Sequence, residues 1–502
     1  MNPRKWTREF NWGELGNLLI SNGYNYDLIN DDALQNLANI ADGKIKIRNM
    51  LYKILILPNV ETIPLKTLQF IEKYVEKGGV VIALERIPEK STGLIDYQHT
   101  DNQVKELAEN LFNRPKQAEI KQDNPYGFSG PGIVEGVVMN RYGAGGTYQL
   151  KNVIDRQIWW DKRSSALDPF LETIRKHIAP DFGIDFAFEG LRKNDGLTFI
   201  HRKIAEREIY FVSNIQDRPS TIPVTFRVHK KVIRKWNPFT GEITSMFSYS
   251  EVKDGIMVPL NLAPYESLFL EFSPGEPEAY VTKTNFNEVA EAGKSGLKAM
   301  ALQNGSYFAV IKSGNQEKKI TSEVLGIPAP FQISGDWNME LKSDNFPLLT
   351  KKMESLSSWI EDPATRNFSG TGRYEITFNL PAEYVQKELK LFLDLGKVGN
   401  IAEVRLNDQL LGTTWMRNQK LEATGFARGG ENKLVVEVTN TLINRISAMK
   451  VPPPVSPDLV SRFGSGTVST ETPREFGFKP LPASGLIGPI QIIPVKEVNI
   501  KY

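Results

Sequence analysis

Apolar positions in the first third of the chain change between two periods. The segment YKILILP (52–58) is a short apolar run that ends at a proline, as a buried parallel strand does. The next segment, PLKTLQFIEKYVEKGG, carries apolar residues near helical spacing from Leu65 to Val75 and stops at two glycines. VVIALER then predicts a second buried strand. The pattern indicates a β-α-β unit, with further helices over 101–112 and 168–178.

From about residue 183 the period of the apolar positions shortens. Short segments rich in β-branched and aromatic residues alternate with turn residues, as in LTFIHRKIAEREIYFVSN, STIPVTFRVHK, VIRKWNPFTGEIT and SLFLEFSP. This texture predicts antiparallel β structure, which continues through 306–312. NPFTGE predicts a hairpin turn, because Asn and Pro open it and Gly241 lies near its end.

A third unit begins near residue 331. Its strand-length segments are GRYEITFNLP, LKLFLDLG, IAEVRLNDQLLGTTW, NKLVVEVTN and SGLIGPIQIIP, and a stretch rich in Pro, Gly and Ser over 450–484 predicts a long loop. Two packed antiparallel sheets of jelly-roll type fit this unit best. We therefore predict a multidomain chain: an α/β domain (1–182) with a parallel sheet of flavodoxin or glutamine-amidotransferase type, then two antiparallel β-sandwich units (183–330 and 331–502).

Composition narrows the classes of function. The 502 residues suit about three domains, and 61 basic against 59 acidic residues indicate no nucleic-acid partner. No apolar run approaches the ~20 residues of a membrane helix, so no membrane is expected. The absence of cysteine excludes disulfides, thiolate metal sites and a Cys nucleophile. The start of the sequence lacks the order of a signal peptide. The compartment therefore stays open, and a longer relative is compatible with the periplasm or secretion.

Local motifs for common chemistries are missing or incomplete. The sequence has no GxGxxG or GxxxxGK[ST], and YGAGG (142–146) predicts a turn. GFSGPG (127–132) has the wrong spacing for a serine elbow and predicts a loop, while IWWDKR (158–163) predicts core packing. The four histidines have no zinc-ligand spacing, so no metal is assigned. A glycosidase needs two carboxyl groups roughly 5–9.5 Å apart, and no pattern selects a pair.

The acidic cluster in SNGYNYDLINDDAL has two readings. Asp27, Asp31 and Asp32 supply the oxygen ligands that calcium prefers, but their spacing is not that of an EF-hand. Alternatively, Asn30 or Asp31 caps a helix over DALQNLANI. We favour the helix cap. No cofactor is predicted, and calcium is compatible but not assignable.

Two β-rich segments carry groups suited to sugars. TTWMRNQ and VTNTLINR contain Trp415, Arg417, Asn440, Asn444 and Arg445. A pyranose offers an apolar face to an aromatic ring and hydroxyls to amides and guanidinium groups. In the alternative, Trp415 packs against the sandwich and the polar groups bond loop backbone.

A family resemblance extends over nearly the whole chain. GYNYDLINDDAL and DGKIKIRNMLYKILILPNVETIPLKTLQFIEKYVEKGGVVIAL resemble the region after the catalytic barrel in α-L-rhamnosidases of glycoside hydrolase family 106. LTFIHRKIAEREIYFVSN is similar to that family's His-Arg strand and the Tyr-Phe-x-x-Asn strand after it. The final unit resembles its C-terminal sugar-binding sandwich, also seen in glycoside hydrolase family 2, through LDLGKVGNIAEVRLNDQLLGTTW, NKLVVEVTNTLINRI and SGLIGPIQI.

The resemblance implies a function and a missing part. In that family the catalytic carboxylates belong to a (β/α)8 barrel that precedes this region, and we expect this sequence to lack the barrel. No catalytic residue is therefore assigned. Tyr26, Asp27, His201 and Arg202 would face an active site only beside such a barrel.

We therefore predict an accessory, carbohydrate-binding portion of an α-L-rhamnosidase-like hydrolase that acts on rhamnose-containing glycans, with a separate catalytic-barrel chain as one candidate partner. The alternatives are a stand-alone carbohydrate-binding or interaction protein, and a hydrolase whose carboxylates come from different domains.

Overall fold

The computed structural model describes residues 12–112, 137–151, 168–184, 196–294, 296–344, 346–415, 419–449, 457–458, 461 and 481–501. The chain divides into two compact units, one of residues 1–194 with 225–227 and one of residues 195–224 with 228–502. The motifs at 127–132 and 158–163, and most of the predicted loop over 450–484, lie outside the described residues.

The first unit combines short helices with two small sheets. Its elements are α1 (Trp12–Ser21), α2 (Asp31–Asn36), β1 (Ala38–Ala41), β2 (Lys44–Ile47), β3 (Met50–Tyr52), β4 (Ile54–Pro58), α3 (Leu65–Glu76), β5 (Val80–Leu84), α4 (Tyr97–Phe112), β6 (Val137–Tyr142), β7 (Gly145–Leu150), α5 (Asp168–His177) and β8 (Phe182–Ile184). The main sheet has the order β4-β5-β7-β6, in which β4, β5 and β7 are parallel and β6 is an antiparallel edge. The predicted β-α-β unit and both further helices are confirmed, as is the turn in YGAGG, which joins β6 to β7.

Burial on both faces explains the continuous apolar run of β5. Val81 and Ala83 pack into a core shared with α3 and α4, while Val80, Ile82 and Leu84 pack into a second core shared with α1 and α5. A strand covered on both faces has no reason to alternate apolar and polar residues.

The helix predicted over DALQNLANI is wrong beyond Asn36. Asn30 does cap α2, because its side-chain oxygen accepts a hydrogen bond from the Ala33 amide. The residues after α2 instead form β1, which pairs with β2 in a hairpin. Asp42 and Gly43 between these strands have φ values of 51° and 65°. Two consecutive residues with positive φ form the turn that best matches the twist of a hairpin, so the turn chemistry overrides the helical propensity.

The second unit begins with two antiparallel sheets. Their strands are β9 (Leu197–Ile204), β10 (Arg207–Asn214), β11 (Ser220–Phe226), β12 (Lys231–Trp236), β13 (Ile243–Met246), β14 (Ser250–Val252), β15 (Gly255–Leu262) and β16 (Ser267–Pro274). One sheet has the order β13-β12-β16-β10-β9, and β14, β15 and β11 follow one another in the other. Alternate residues are buried in both sheets, as in Tyr210 and Val212 of β10 and Val258 and Leu260 of β15. Two sheets packed over one core give this alternation.

The remainder of the second unit is also built from strands. They are β17 (Tyr280–Thr284), β18 (Glu288–Gly293), β19 (Gly296–Ala301), β20 (Gly305–Ser313), β21 (Gln316–Val324), β22 (Phe331–Gln332), β23 (Trp337–Ser343), β24 (Phe346–Met353), β25 (Thr371–Leu380), β26 (Leu389–Asp394), β27 (Lys397–Gly399), β28 (Ile401–Leu406), β29 (Gln409–Thr414), β30 (Lys420–Glu422), β31 (Gly430–Thr439), β32 (Gly485–Gly488) and β33 (Gln491–Lys501). A short helix, α6 (Ile443–Ser447), follows β31. The sheets β24-β23-β25-β31-β28-β29 and β18-β19-β33-β26-β30 supply most of these strands. The predicted succession of an α/β domain and antiparallel sandwiches is confirmed. The predicted limits at 182 and 330 stay predictions.

Strand β33 belongs to two hydrophobic cores. Its first half pairs with β26 and its second half with β19. Ile492 lies in the core of the last sandwich, whereas Val498 and Ile500 pack on a separate core formed by β17 to β21. The sequence pattern did not predict this sharing. Among the helices of the described ranges, none is long and apolar enough to cross a bilayer.

Candidate functional site

Trp415 is an exposed aromatic residue whose ring contacts the half-buried ring of Phe239. Trp415 follows the last residue of β29 and is 59% exposed. Its ring centroid lies 5.5 Å from that of Phe239, with the two planes tilted by 47°. Packing of Trp415 against the sandwich, the alternative considered from sequence, therefore does not describe this ring. A large aromatic side chain open to solvent is typical of a contact surface.

Local side-chain amides hold the backbone under both rings. The Gln419 side chain accepts a hydrogen bond from the Trp415 amide at 3.3 Å and donates to the Thr413 carbonyl at 3.5 Å. In the predicted NPFTGE turn, which does join β12 to β13, the Asn237 side chain accepts from the Phe239 amide at 2.9 Å. Because these bonds restrain the backbone at Trp415 and Phe239, binding of a ligand to the rings would cost the protein less conformational entropy.

The other predicted sugar ligands support a neighbouring loop. The Asn440 side chain accepts from the Gly370 amide at 3.0 Å and donates to the Phe368 carbonyl at 2.9 Å. Asn444 is fully buried, donates to the Arg366 carbonyl at 3.2 Å and accepts from the Ser484 hydroxyl at 3.3 Å. Both amides thus bond loop backbone, as the sequence alternative states. Their role as sugar ligands stays a prediction.

Arg445 and Arg417 complete the predicted set. Arg445 is half-buried on α6, and its backbone amide donates to the Ser369 hydroxyl at 3.1 Å. Arg417 lies outside the described residues. The structure thus gathers Asn440, Asn444 and Arg445 around the backbone of 366–370.

Sequence reasoning missed Phe239. The signal was present, because Phe239 is an aromatic residue within a turn otherwise made of Asn, Pro, Thr and Gly. An apolar ring in such a turn has no core to fill, and a contact with another exposed ring or with a ligand is one reason to place it there.

In the acidic segment of the first unit, Asp27 and Asp31 accept hydrogen bonds from nearby hydroxyl groups. The Tyr52 hydroxyl donates to the Asp27 carboxylate at 2.6 Å, and the Thr67 hydroxyl donates to Asp31 at 2.8 Å. Burial, then the bond to Asp27 and its charge, raises the pKa of Tyr52 to about 12. Tyr26 is exposed beside Gly16, where an added Cβ would meet the Tyr26 hydroxyl. In the part of the chain that the structure describes, no three acidic or histidine side chains are grouped to hold a metal ion.

In the second unit, the His201 side chain contacts two residues of its own β9–β10 hairpin. Its Nε2 lies 2.8 Å from the Glu208 carboxylate, and its ring stacks on Tyr210 with centroids 4.1 Å apart. Arg202 is exposed, and its guanidinium donates to the His201 carbonyl at 2.8 Å. A role of either residue, or of Tyr26 and Asp27, toward an active site stays a prediction.

Comparisons with known proteins find that parts of this chain are similar to glycosidases. Residues 17–251 match the model of the family Glyco_hydro_106, described as alpha-L-rhamnosidase. A putative beta-glucuronidase from Formosa agariphila is 37% identical over 131 residues, which are 26% of this chain and 11% of that protein.

Solved structures of glycosidases also match the chain. The structure of a rhamnosidase from Novosphingobium sp. PP1Y matches with a TM-score of 0.59 at 23% identity, over 94% of this chain and 36% of that chain. A beta-D-glucuronidase from Dictyoglomus thermophilum matches with a TM-score of 0.24 at 20% identity, over 35% of this chain and 29% of that chain.

These matches cover only part of the relatives. The chain spans 36% of the length of the rhamnosidase and the matched segment 11% of the curated relative. At 23% identity the likeness to the rhamnosidase structure shows a common fold. Over residues 17–251 the family model confirms the resemblance to alpha-L-rhamnosidases found in the sequence. The match covers a little under half of the chain, and the place of the chain after a catalytic barrel stays a prediction.

Proposed function

We propose that this chain is an accessory, carbohydrate-binding portion of an α-L-rhamnosidase-like glycoside hydrolase, the part that follows the catalytic barrel, and that it binds rhamnose-containing glycans through Trp415. The exposed ring of Trp415, in contact with the half-buried Phe239, carries the proposal. The C–H face of a pyranose packs against an indole ring, and the methyl group of a 6-deoxy sugar adds apolar surface to that contact.

We place the hydrolytic carboxylates outside this chain. Glycoside hydrolysis needs two carboxyl groups on opposite sides of one bond, and a (β/α)8 barrel needs eight parallel strands. Among the described strands, those paired in parallel are β4, β5 and β7. The barrel belongs either to a longer form of this polypeptide or to a separate chain.

The substitution Trp415→Ala tests the binding surface. We expect the dissociation constant for an α-L-rhamnosyl oligosaccharide to rise about tenfold or more, equivalent to about 1.4 kcal/mol. The melting temperature should change little, because an exposed side chain contributes within about 0.5 kcal/mol to folding. Isothermal titration calorimetry and differential scanning calorimetry measure the two quantities.

Tyr97→Ala is the matched control, since Tyr97 is also an exposed aromatic residue but lies in the first unit. Unchanged glycan binding by Trp415→Ala would overturn the proposal. A large fall in melting temperature would restore the packing interpretation of Trp415.

A hydrolysis assay tests the accessory role. The purified chain at high concentration should release no aryl group from an aryl α-L-rhamnoside beyond a heat-denatured sample, because no barrel supplies the carboxylate pair. Turnover that follows the protein through purification and disappears on heating would show the opposite, namely that a carboxylate pair lies within these domains.

A further inference from the structure

The α/β sheet of the first unit has a cleft at one end. The cleft measures about 330 Å³ and lies at the carboxyl ends of β5 and β7. Its walls come from residues 85–89, from Lys105 and Glu109 of α4, and from Gln149 and Lys151 at the end of β7. In sheets of parallel strands, ligands bind at the carboxyl ends of the strands. The volume lies at the lower end of the range of ligand pockets.

The backbone that forms one wall is held in an uncommon conformation. Glu85 directly follows β5 and has a φ of 67°, a region that non-glycine residues seldom adopt. The Glu85 amide donates to the Leu150 carbonyl at 2.7 Å, so the end of β5 is bonded to the end of β7. Residues 85–89 therefore leave the sheet sharply and border the cleft instead of extending the strand.

Gln149 places an amide on the floor of the cleft. Its side chain is only 9% exposed and lines the cavity. On the same face of β7, the Thr147 hydroxyl donates to the Leu111 carbonyl, and Asn140 of the neighbouring strand donates to the same carbonyl. Within the described residues the Gln149 amide has no such partner. The amide is open to the solvent of the cleft, so hydroxyl groups of a ligand would replace water as its hydrogen-bonding partners.

The rim of the cleft carries both charges. The lining carries three basic side chains, Arg86, Lys105 and Lys151, and three acidic ones, Glu85, Glu89 and Glu109. Arg86 also donates a hydrogen bond to the Glu61 carboxylate at 2.9 Å. Equal numbers of the two signs give no net attraction for an ion. The floor amide both donates and accepts, which is also the property of a hydroxyl group.

We propose that this cleft binds a neutral, polyhydroxylated ligand of monosaccharide size, with the Gln149 amide as its buried hydrogen-bonding partner. The cleft lies in the first unit and Trp415 in the second. The proposal therefore does not depend on the sugar surface at Trp415 or on the proposed function.

Titration of the full chain with L-rhamnose tests whether the cleft binds a sugar. Calorimetry and saturation-transfer NMR measure the binding. Gln149→Leu keeps the approximate volume and removes the amide, so we expect binding at this site to weaken about tenfold with an unchanged or higher melting temperature. Gln98→Leu, an exposed position near the start of α4, is the matched control. Affinity should be the same at low salt and at about 0.5 M salt, because the ligand is neutral.

The outcomes separate the two sites. Binding that survives Trp415→Ala but is lost in Gln149→Leu supports the cleft, even if the proposed function fails. Three results would overturn the proposal for the cleft. They are rhamnose binding that is insensitive to Gln149→Leu, rhamnose binding that salt strongly weakens, and no rhamnose binding at all. Gln149→Leu could also lower the melting temperature, and Lys151→Ala, a substitution at the exposed rim, is then the second test. Unchanged rhamnose binding in Lys151→Ala would count against binding in the cleft.

Discussion

At the scale of single residues, Glu208 makes the strongest polar contact around His201. Its carboxylate bonds the His201 ring at 2.8 Å and lies 3.3 Å from the Lys203 ammonium group. Burial by itself raises the pKa of Glu208, but the hydrogen bond and charge of His201, together with those of Lys203, outweigh it and hold the pKa below its ordinary value. A carboxyl group with a lowered pKa stabilises the fold at neutral pH, and this stabilisation is lost as the pH falls through that pKa.

Glu208→Gln should therefore destabilise the protein by about 1–2 kcal/mol at pH 7, because it removes a hydrogen bond to a charged group. The difference from the parent should shrink as the pH falls below the ordinary pKa of a glutamate and through the lowered pKa of Glu208, where the parent carboxylate takes up a proton as well. Urea denaturation of the parent, Glu208→Gln and the exposed control Glu206→Gln across that range measures the effect. A difference that does not depend on pH would contradict the role of the charge.

Residue types alone do not separate a sugar ligand from a loop support. The same sequence argument selects Trp415 and Asn444, yet Trp415 is exposed and Asn444 fully buried. The partners of Asn444 include the Arg366 carbonyl, 78 positions earlier in the chain. The tertiary fold decides which distant loop lies within hydrogen-bonding distance of a side chain, and no local sequence pattern contains that information. The floor position of Gln149 escaped the sequence analysis for the same reason.

At the scale of elements, the strands, helices and turns with a clear local signal were predictable. The apolar run of β5, the helix α3 and the NPFTGE turn were all predictable, because each depends on period or on turn residues within a few positions. The short-range signal missed was Asp42-Gly43, a dipeptide that strongly favours a two-residue hairpin. Asn407 and Asp408 make a similar turn between β28 and β29, with φ values of 53° and 62°.

A pair of proline substitutions tests the double role of β33. The Glu497 amide donates to the Glu388 carbonyl on one side, so the Val498 amide points to β19 and the Asn499 amide away from it. Val498→Pro should cost about 2–3 kcal/mol, because it removes a ladder bond inside the sheet. Asn499→Pro should cost far less.

Hydrogen exchange localises the effect of these substitutions. In Val498→Pro, amides of β18 and β19 should exchange faster, while those of β4, β5 and β7 in the first unit keep their protection. Equal effects of the two prolines would contradict the pairing of β33 with β19.

At the scale of the whole molecule, the order of fold classes follows from the sequence but the partnership of distant strands does not. The change of apolar period along the chain predicts α/β structure followed by antiparallel β structure, and the structure has the two classes in that order. The period of β33 is the same whichever sheet it joins, so its division between two cores had no local signal. Long-range pairing of this kind is set by the competition among complete folds.

The sharing of β33 also imposes an order of events during synthesis on the ribosome. Leu297 and Ala299 of β19 leave the ribosome long before Val498 and Ile500, the residues that complete their sheet. At a rate of about 5–20 residues per second, the roughly 200 intervening residues take on the order of 10–40 seconds to be made. Until then one edge of β19 stays unpaired. The core of β17 to β21 is incomplete without β33, and so is the core of the last sandwich. An interruption of translation within that interval would leave two sandwiches incomplete at once.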